Sequence, residues 1–196
     1  MTLVLAPDAQ DLLFREARTA NSFTDEPVTD EQLAAIYDLV KYAPTAMNIQ
    51  PLRILVVRDG EPRERLLKHM AEGNREKTAS APVVAVLAAD TDFHDHLVTT
   101  FPHFAGARDK FLDDEARELT ARFNASLQVG YFLVGIRAAG LAAGPMGGFD
   151  AAAMDEEFFG GTGWKSLLVV NIGHPGENPW FDRLPRLDHD VVVRQA

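Results

Sequence analysis

The sequence has no cysteine among its 196 residues. That removes disulfides, thiolate nucleophiles, iron–sulfur ligation and thiolate zinc sites together, and a reducing compartment is compatible with it. No GxGxxG opens a helix behind a strand and no GxxxxGK[ST] occurs, so the usual cradles for a tightly bound dinucleotide or nucleoside triphosphate are missing. A nicotinamide, if used, must dock transiently. Positive charge is scarce: 19 Lys and Arg stand against 29 Asp and Glu, a formal net charge of -10, which argues against nonspecific binding to nucleic acid or an anionic membrane. Any phosphate must therefore meet a local basic cluster. No apolar run reaches the roughly 18 residues of a membrane span, and the N-terminal MTLVLAPDAQDLLF lacks a basic n-region and a long h-region. A soluble, unexported, cytoplasmic protein is expected. Repeats, linkers and low-complexity tracts are lacking too, so residues 1–196 are expected to form a single domain, for which 46% hydrophobic composition supplies a core.

What is present alternates irregularly between helix and strand. Asp8 to Ala17 places Leu12, Leu13 and Ala17 on a helical period. TDEPVTDEQLAAIYDLVKYA predicts a helix with Thr29 as N-cap, Gln32 completing a capping box, and Leu33, Ile36, Tyr37 and Val40 as the buried stripe. RILVVRDG reads as a short strand, and PRERLLKHMAEG as one helix with a Pro start and a Gly stop. APVVAVLAAD is apolar on both sides and fits a central strand covered on both faces. Thr91 to Asp113 has no clean period and reads as an irregular, lid-like insertion. Glu115 to Ala139 predicts a long helix buried through Leu119, Phe123, Leu127, Tyr131, Val134 and Ala138. A short helix capped by Asp150, a last strand at SLLVVNIG, and an extended polar arm at PWFDRLPRLDHDVV complete the chain. The repeated strand–turn–helix unit of a doubly wound sheet is missing. The expected class is α+β, a mixed central sheet with helices on both faces.

Four segments stand out for chemistry: ARTANSF from Ala17, APTAMNIQP from Ala43, GNREK from Gly73 and GPMGGF from Gly144. In GNREK, Asn74 and Lys77 are three apart, so on a helical turn both reach one ligand edge; alone, Lys77 reads equally as a surface lysine. The glycines of GPMGGF permit unusual backbone angles and close approach, and would equally serve a plain turn. APTAMNIQP, with its proline, small residues and asparagine, admits a planar ligand or is simply a helix-to-strand loop. His94 and His96 have the look of a metal pair but lack a third ligand nearby in sequence, and a solvated loop is the expectation.

The order and spacing of these segments resemble the nitroreductase family of FMN proteins from about Ala17 to Asp190. FPHFAGARDKF, RFNASLQVGY, GPMGGFD and RLPRL resemble the subgroup that reduces malonic semialdehyde. The resemblance implies a nitroreductase-like fold, a homodimer with FMN at the interface and the C-terminal arm on the partner, and NADPH or NADH as transient co-substrate. It assigns Arg18, Thr19 and Asn21 to the phosphate end, where Asn21 replaces a commoner basic residue, with Arg183 or Arg186, the latter favoured, as compensation. It assigns Asn74 and Lys77 to the flavin pyrimidine, Pro44, Thr45 and Asn48 to a contact across the dimer, and Pro145, Met146, Gly147 and Gly148 to the edge at which hydride lands. For a small aldehyde bearing a carboxylate, Arg108 is the candidate anchor, Phe101 and Phe104 candidate lid residues, and His103 a candidate proton donor; a packed loop histidine is the plainer reading. No side chain is assigned as catalytic with the flavin atom itself reacting. The alternatives are a broad nitroaromatic, quinone or aldehyde reductase, and a noncatalytic flavin-binding protein.

Overall fold

The structure, a computed structural model, describes residues 3–196. Four strands form one sheet in the order β1-β2-β4-β3: β1 Leu52–Val57, β2 Val83–Asp90, β3 Ala142–Met146 and β4 Trp164–Gly173. All three pairings are antiparallel, so the mixed sheet expected from the sequence is corrected: these four strands contain no parallel pair. β2 is fully buried along its length, as its two-sided apolar character requires.

Helices cover both faces. On one, α2 (Asp30–Val40) and α6 (Asp114–Ala138) pack Ile36, Val40, Phe132 and Ile136 against Leu87 and Ile172. On the other, α3 (Glu61–His69) and α7 (Ala151–Phe159) bring Leu66, Met154 and Phe159 to Val86 and Val169. A third apolar cluster, Ile49, Phe93, Leu97, Ala121 and Ala125, sits under the insertion. α2 starts where its capping box places it: Thr29 Oγ1 accepts from Gln32 N at 3.2 Å and Gln32 Oε1 accepts from Thr29 N at 2.8 Å. Tyr37, however, is 53% exposed and leaves the expected stripe.

Three other expectations change. The N-terminal helix is short, α1 at Pro7–Gln10, continued by a wider turn over Asp11–Arg15. PRERLLKHMAEG is broken: α3 ends at His69 and α4 spans Glu72–Ala79, because Met70 leaves the helix to bridge Phe149 and Ala71 N bonds Gly148 O at 3.0 Å. The stripe expected to bury α6 faces outward, with Leu119 63%, Phe123 67%, Leu127 43% and Tyr131 49% exposed. Its buried face is instead Ala121, Asn124, Ala125, Gln128, Phe132, Gly135 and Ile136. Small residues let α6 approach the sheet and α2 closely, which leaves the bulky apolar row outside.

The insertion is irregular as expected, with short helical turns at Phe93–His96 and Arg108–Phe111 around α5 (Leu97–Thr100). Beyond β4 the chain runs extended and exposed, with one short helix, α8, at His189–Val192. No helix of the described residues is long and apolar enough to cross a membrane.

Candidate functional site

The segment after α1 is laid along β3. Ala20 N donates to Ala143 O at 2.9 Å and Asn21 N to Pro179 O at 2.9 Å, a contact close enough that a β-carbon on Gly144 would lie 2.6 Å from Ala20 O. The chain following β4 returns across the same place. Arg18, Thr19, Asn21, Arg183 and Arg186 thereby line one cavity of about 360 Å³, in which Asp182 is the single acidic member. The two late arginines differ in their attachments. Arg183 Nη2 donates to the carbonyls of Arg15 and Ala17 and so shapes the segment that carries Arg18. Arg186 bonds only Leu184 O and Pro185 O of its own turn, at 2.9 and 3.3 Å. Three guanidinium groups in one cleft form the local basic cluster that an acidic chain needs in order to hold a phosphate.

GPMGGF is not a simple turn. Gly144, Pro145 and Met146 end β3, and Gly147, Gly148 and Phe149 leave the sheet. Gly148 O accepts from Ala71 N at 3.0 Å and from Asn74 Nδ2 at 3.0 Å. A β-carbon on Gly148 would come within 2.6 Å of that amide nitrogen, whereas one on Gly147 would meet nothing within 4 Å. Gly147 is therefore exposed backbone open to a ligand, whereas a side chain on Gly148 would press on the Asn74 amide that braces it. Asn74 commits one amide N–H to this brace, which leaves its Oδ1 for a ligand. Lys77 is half-buried on α4, and its carbonyl accepts from the buried Asn171 Nδ2 at 3.0 Å. Asn74, Lys77 and the end of β3 are thus neighbours in fact as well as in sequence reading.

Pro44, Thr45 and Asn48 lie elsewhere, in a second cavity of about 420 Å³ shared with Tyr37, Lys41 and Tyr42. Within one protomer they are not brought to the arginine cavity. Asn48 Nδ2 donates to Thr100 O at 2.8 Å and so ties this loop to the insertion.

In the insertion, the rings of Phe101 and His103 lie 3.9 Å apart. Phe104 is 42% exposed with Lys110 Nζ 5.4 Å from its ring centre. Arg108 is already engaged: its Nε donates to Asp95 Oδ1 at 2.8 Å. That hydrogen bond, with the positive charge of the Arg108 guanidinium, holds the Asp95 carboxyl below the usual carboxylate range. An incoming carboxylate would share the guanidinium with Asp95, which is bonded at Nε. His94 is buried, 7% exposed with Nδ1 unpartnered, which corrects the solvated-loop expectation for that residue; Phe93 and the short helical turn fold it inward.

Sequence reasoning passed over Asn124 and Gln128. Both are buried on α6 and accept backbone N–H groups of the Ala43–Leu52 stretch: Ala46 N to Asn124 Oδ1 at 2.8 Å and Leu52 N to Gln128 Oε1 at 3.0 Å. The available signal was two amides four apart among alanines, on one helix face. An apolar cleft of about 430 Å³ beneath β1, lined by Leu33, Tyr37, Ile54 and Phe132 among others, was also not foreseen.

Comparison with known proteins identifies the family and the fold. A family model described as the nitroreductase family matches residues 14–174. A protein of Streptomyces griseus subsp. griseus, provisionally named an NADH dehydrogenase/NAD(P)H nitroreductase, is 61% identical over 194 residues, covering 98% of each chain. One of the same provisional name from Leptothrix cholodnii is 51% identical over 193 residues, again covering 98% of each. Among solved structures, a provisionally named nitroreductase from Exiguobacterium sibiricum, crystallised in complex with FMN, superposes with a TM-score of 0.85 at 18% identity over 100% of both chains. That last likeness is one of fold.

Proposed function

Because the chain belongs to the nitroreductase family, we propose that it is an FMN-dependent oxidoreductase that draws hydride from NADPH or NADH. The observation that carries this reading is the convergence of Arg18, Thr19, Asn21 and the two late arginines in one cavity of an otherwise acidic chain. The donor set fits the group: arginines for a phosphate, an open Gly147 backbone for a flat ring edge, and Asn74 with Lys77 for a pyrimidine. FMN held there would supply hydride acceptance and donation, so nicotinamide and acceptor would use one place in turn. The chain's own part is to bind and orient. The arginines would hold the anionic end, the doubly braced Gly148 keeps its neighbour's backbone exposed, and Lys77 would offer positive charge to the pyrimidine, where reduction would add negative charge.

We take the enzyme to be a homodimer. The exposed row Leu119, Phe123, Leu127 and Tyr131 on α6 supports this, since a contiguous apolar patch of that kind marks an interface. The arm beyond Pro175 has exposed Phe181, Leu184 and Leu187 and no core of its own. A second copy would bring its Pro44, Thr45 and Asn48 to the cofactor that Arg18 holds.

For the acceptor, malonic semialdehyde, reduced to 3-hydroxypropionate, is supported by the subgroup motifs and by Arg108 as a cation of the insertion. A broad nitroreductase is supported about as well, both by the names of the relatives above and by the engagement of Arg108 with Asp95. Steady-state turnover of the purified protein with NADPH and each acceptor decides between them. Turnover of nitroaromatics with none of the semialdehyde excludes the first, and a colourless protein that stays colourless with added FMN excludes both.

A further inference from the structure

The loop between α2 and β1 contains three non-glycine residues in left-handed conformation: Met47 at φ 49°, Asn48 at φ 52° and Gln50 at φ 43°. There the Cβ of an L-residue crowds the backbone, so such a cluster persists only where its surroundings over-determine it. Thr45 Oγ1 accepts from Gln50 N at 3.2 Å, Asn124 and Gln128 hold the amides on either side, and Asn48 is tied to the insertion. The carbonyl side of the last left-handed residue is held differently. Arg53 Nη1, from β1, donates to Gln50 O at 3.0 Å and to Leu52 O at 2.9 Å, while Nη2 of the same guanidinium meets Asp90 Oδ2 at 2.5 Å. Asp90 is 4% exposed at the end of β2, and its other oxygen accepts from Asp92 N at 2.8 Å. The central strand thus supplies a fixed anchor, and one planar fork transmits it to the loop. A lysine has the charge but not the fork.

We propose that Arg53, clamped by Asp90, is a positioning residue for the Thr45–Gln50 loop: it fixes the loop's left-handed shape and hence the surface that Pro44, Thr45 and Asn48 offer the flavin. The clamp itself stands on the geometry; its consequence for the flavin rests on the function proposed above.

The test uses full-length, FMN-supplemented protein carrying Arg53→Met, Arg53→Lys, or Arg53→Met with Asp90→Asn, the last so that no buried carboxylate is left unpaired if the single variant does not fold. Hydrogen exchange by mass spectrometry over residues 45–52 should accelerate at least tenfold in the double variant, with β2 and β4 protected as in the wild type. The FMN dissociation constant should rise at least tenfold, the visible spectrum of the bound flavin should shift, and Arg53→Lys should recover part of both. Wild-type exchange of the loop in the double variant overturns the clamp. A loosened loop with unchanged FMN affinity and spectrum overturns its role at the cofactor. Wild-type protein that binds no FMN removes the flavin consequence together with the functional reading, and the exchange measurement then decides the clamp alone.

Discussion

Gly135 of α6 lies against Val40 of α2 so closely that a β-carbon on the glycine would collide with the valine's Cγ1 and come within 3.3 Å of Ile36 Cγ2. Both neighbours belong to the main core, so the two helices meet at a point where nothing larger than hydrogen fits.

Gly135→Ala therefore gains a little helix propensity and loses more to overpacking. Overpacking costs about 1–3 kcal/mol against roughly 1 kcal/mol gained in helix propensity, so the expected net effect is a destabilisation of up to about 2 kcal/mol, read as a lower urea midpoint with an unchanged slope. A midpoint at or above that of the wild type would mean that the helices separate freely.

Phe123 stands in the exposed row of α6. Phe123→Glu should convert a dimer into a monomer in light scattering and, with the two halves of the site parted, weaken FMN retention. Far-UV circular dichroism should stay as in the wild type, because the side chain is 67% exposed in the protomer and supports no part of its core. A wild-type protein that is already monomeric would remove the basis for this expectation.

Arg18→Ala and Arg186→Ala should each weaken FMN binding by roughly 1.5–3 kcal/mol, the worth of a hydrogen bond to a charged group, or about ten- to a hundredfold. Arg183→Ala should act through the Arg15–Ala17 backbone it holds, so its loss of affinity should be accompanied by faster amide exchange there. Flavin fluorescence titration distinguishes the three, and equal affinities throughout would place the phosphate elsewhere.

Asp95 is held below its ordinary range by Arg108. A carboxyl depressed in the folded state contributes stability above its unfolded pKa and loses it as the pH falls through the lower folded value. The thermal midpoints of wild type and Asp95→Asn should therefore differ at neutral pH and converge in acid. The difference should be small and should shrink with salt, since both partners are more than half exposed. If Arg108 anchors a substrate carboxylate, Asp95→Asn should also lower the KM of an anionic acceptor and leave that of a neutral nitroaromatic unchanged.

Local signals carried well from sequence to structure. Thr29 and Gln32 announce the start of α2, and the two-sided apolar run from Val83 announces a central strand. Periodicity misplaced α6, because Leu119, Phe123, Leu127 and Tyr131 form as regular a row as any core stripe, and a row facing outward has the same period as one facing inward. The break at Met70 was hidden for another reason: its partner Phe149 lies far along the chain, and no window around residue 70 contains it. The arginine cavity was legible as a set because the family resemblance named its residues, whereas Arg53 and Asp90 were not, since each alone looks like a strand-end surface charge.

The interruption between α3 and α4 sets a limit on chain length. Its two residues are measured against Phe149 and Gly148, and Asn74 starts its brace only one turn later. A single residue added between His69 and Glu72 would turn the whole of α4 by about 100° if its N-terminus stayed in place, pointing the Asn74 amide away from Gly148 and carrying Lys77 with it. This corner of the protein should tolerate many substitutions in evolution or in the laboratory, and no insertions.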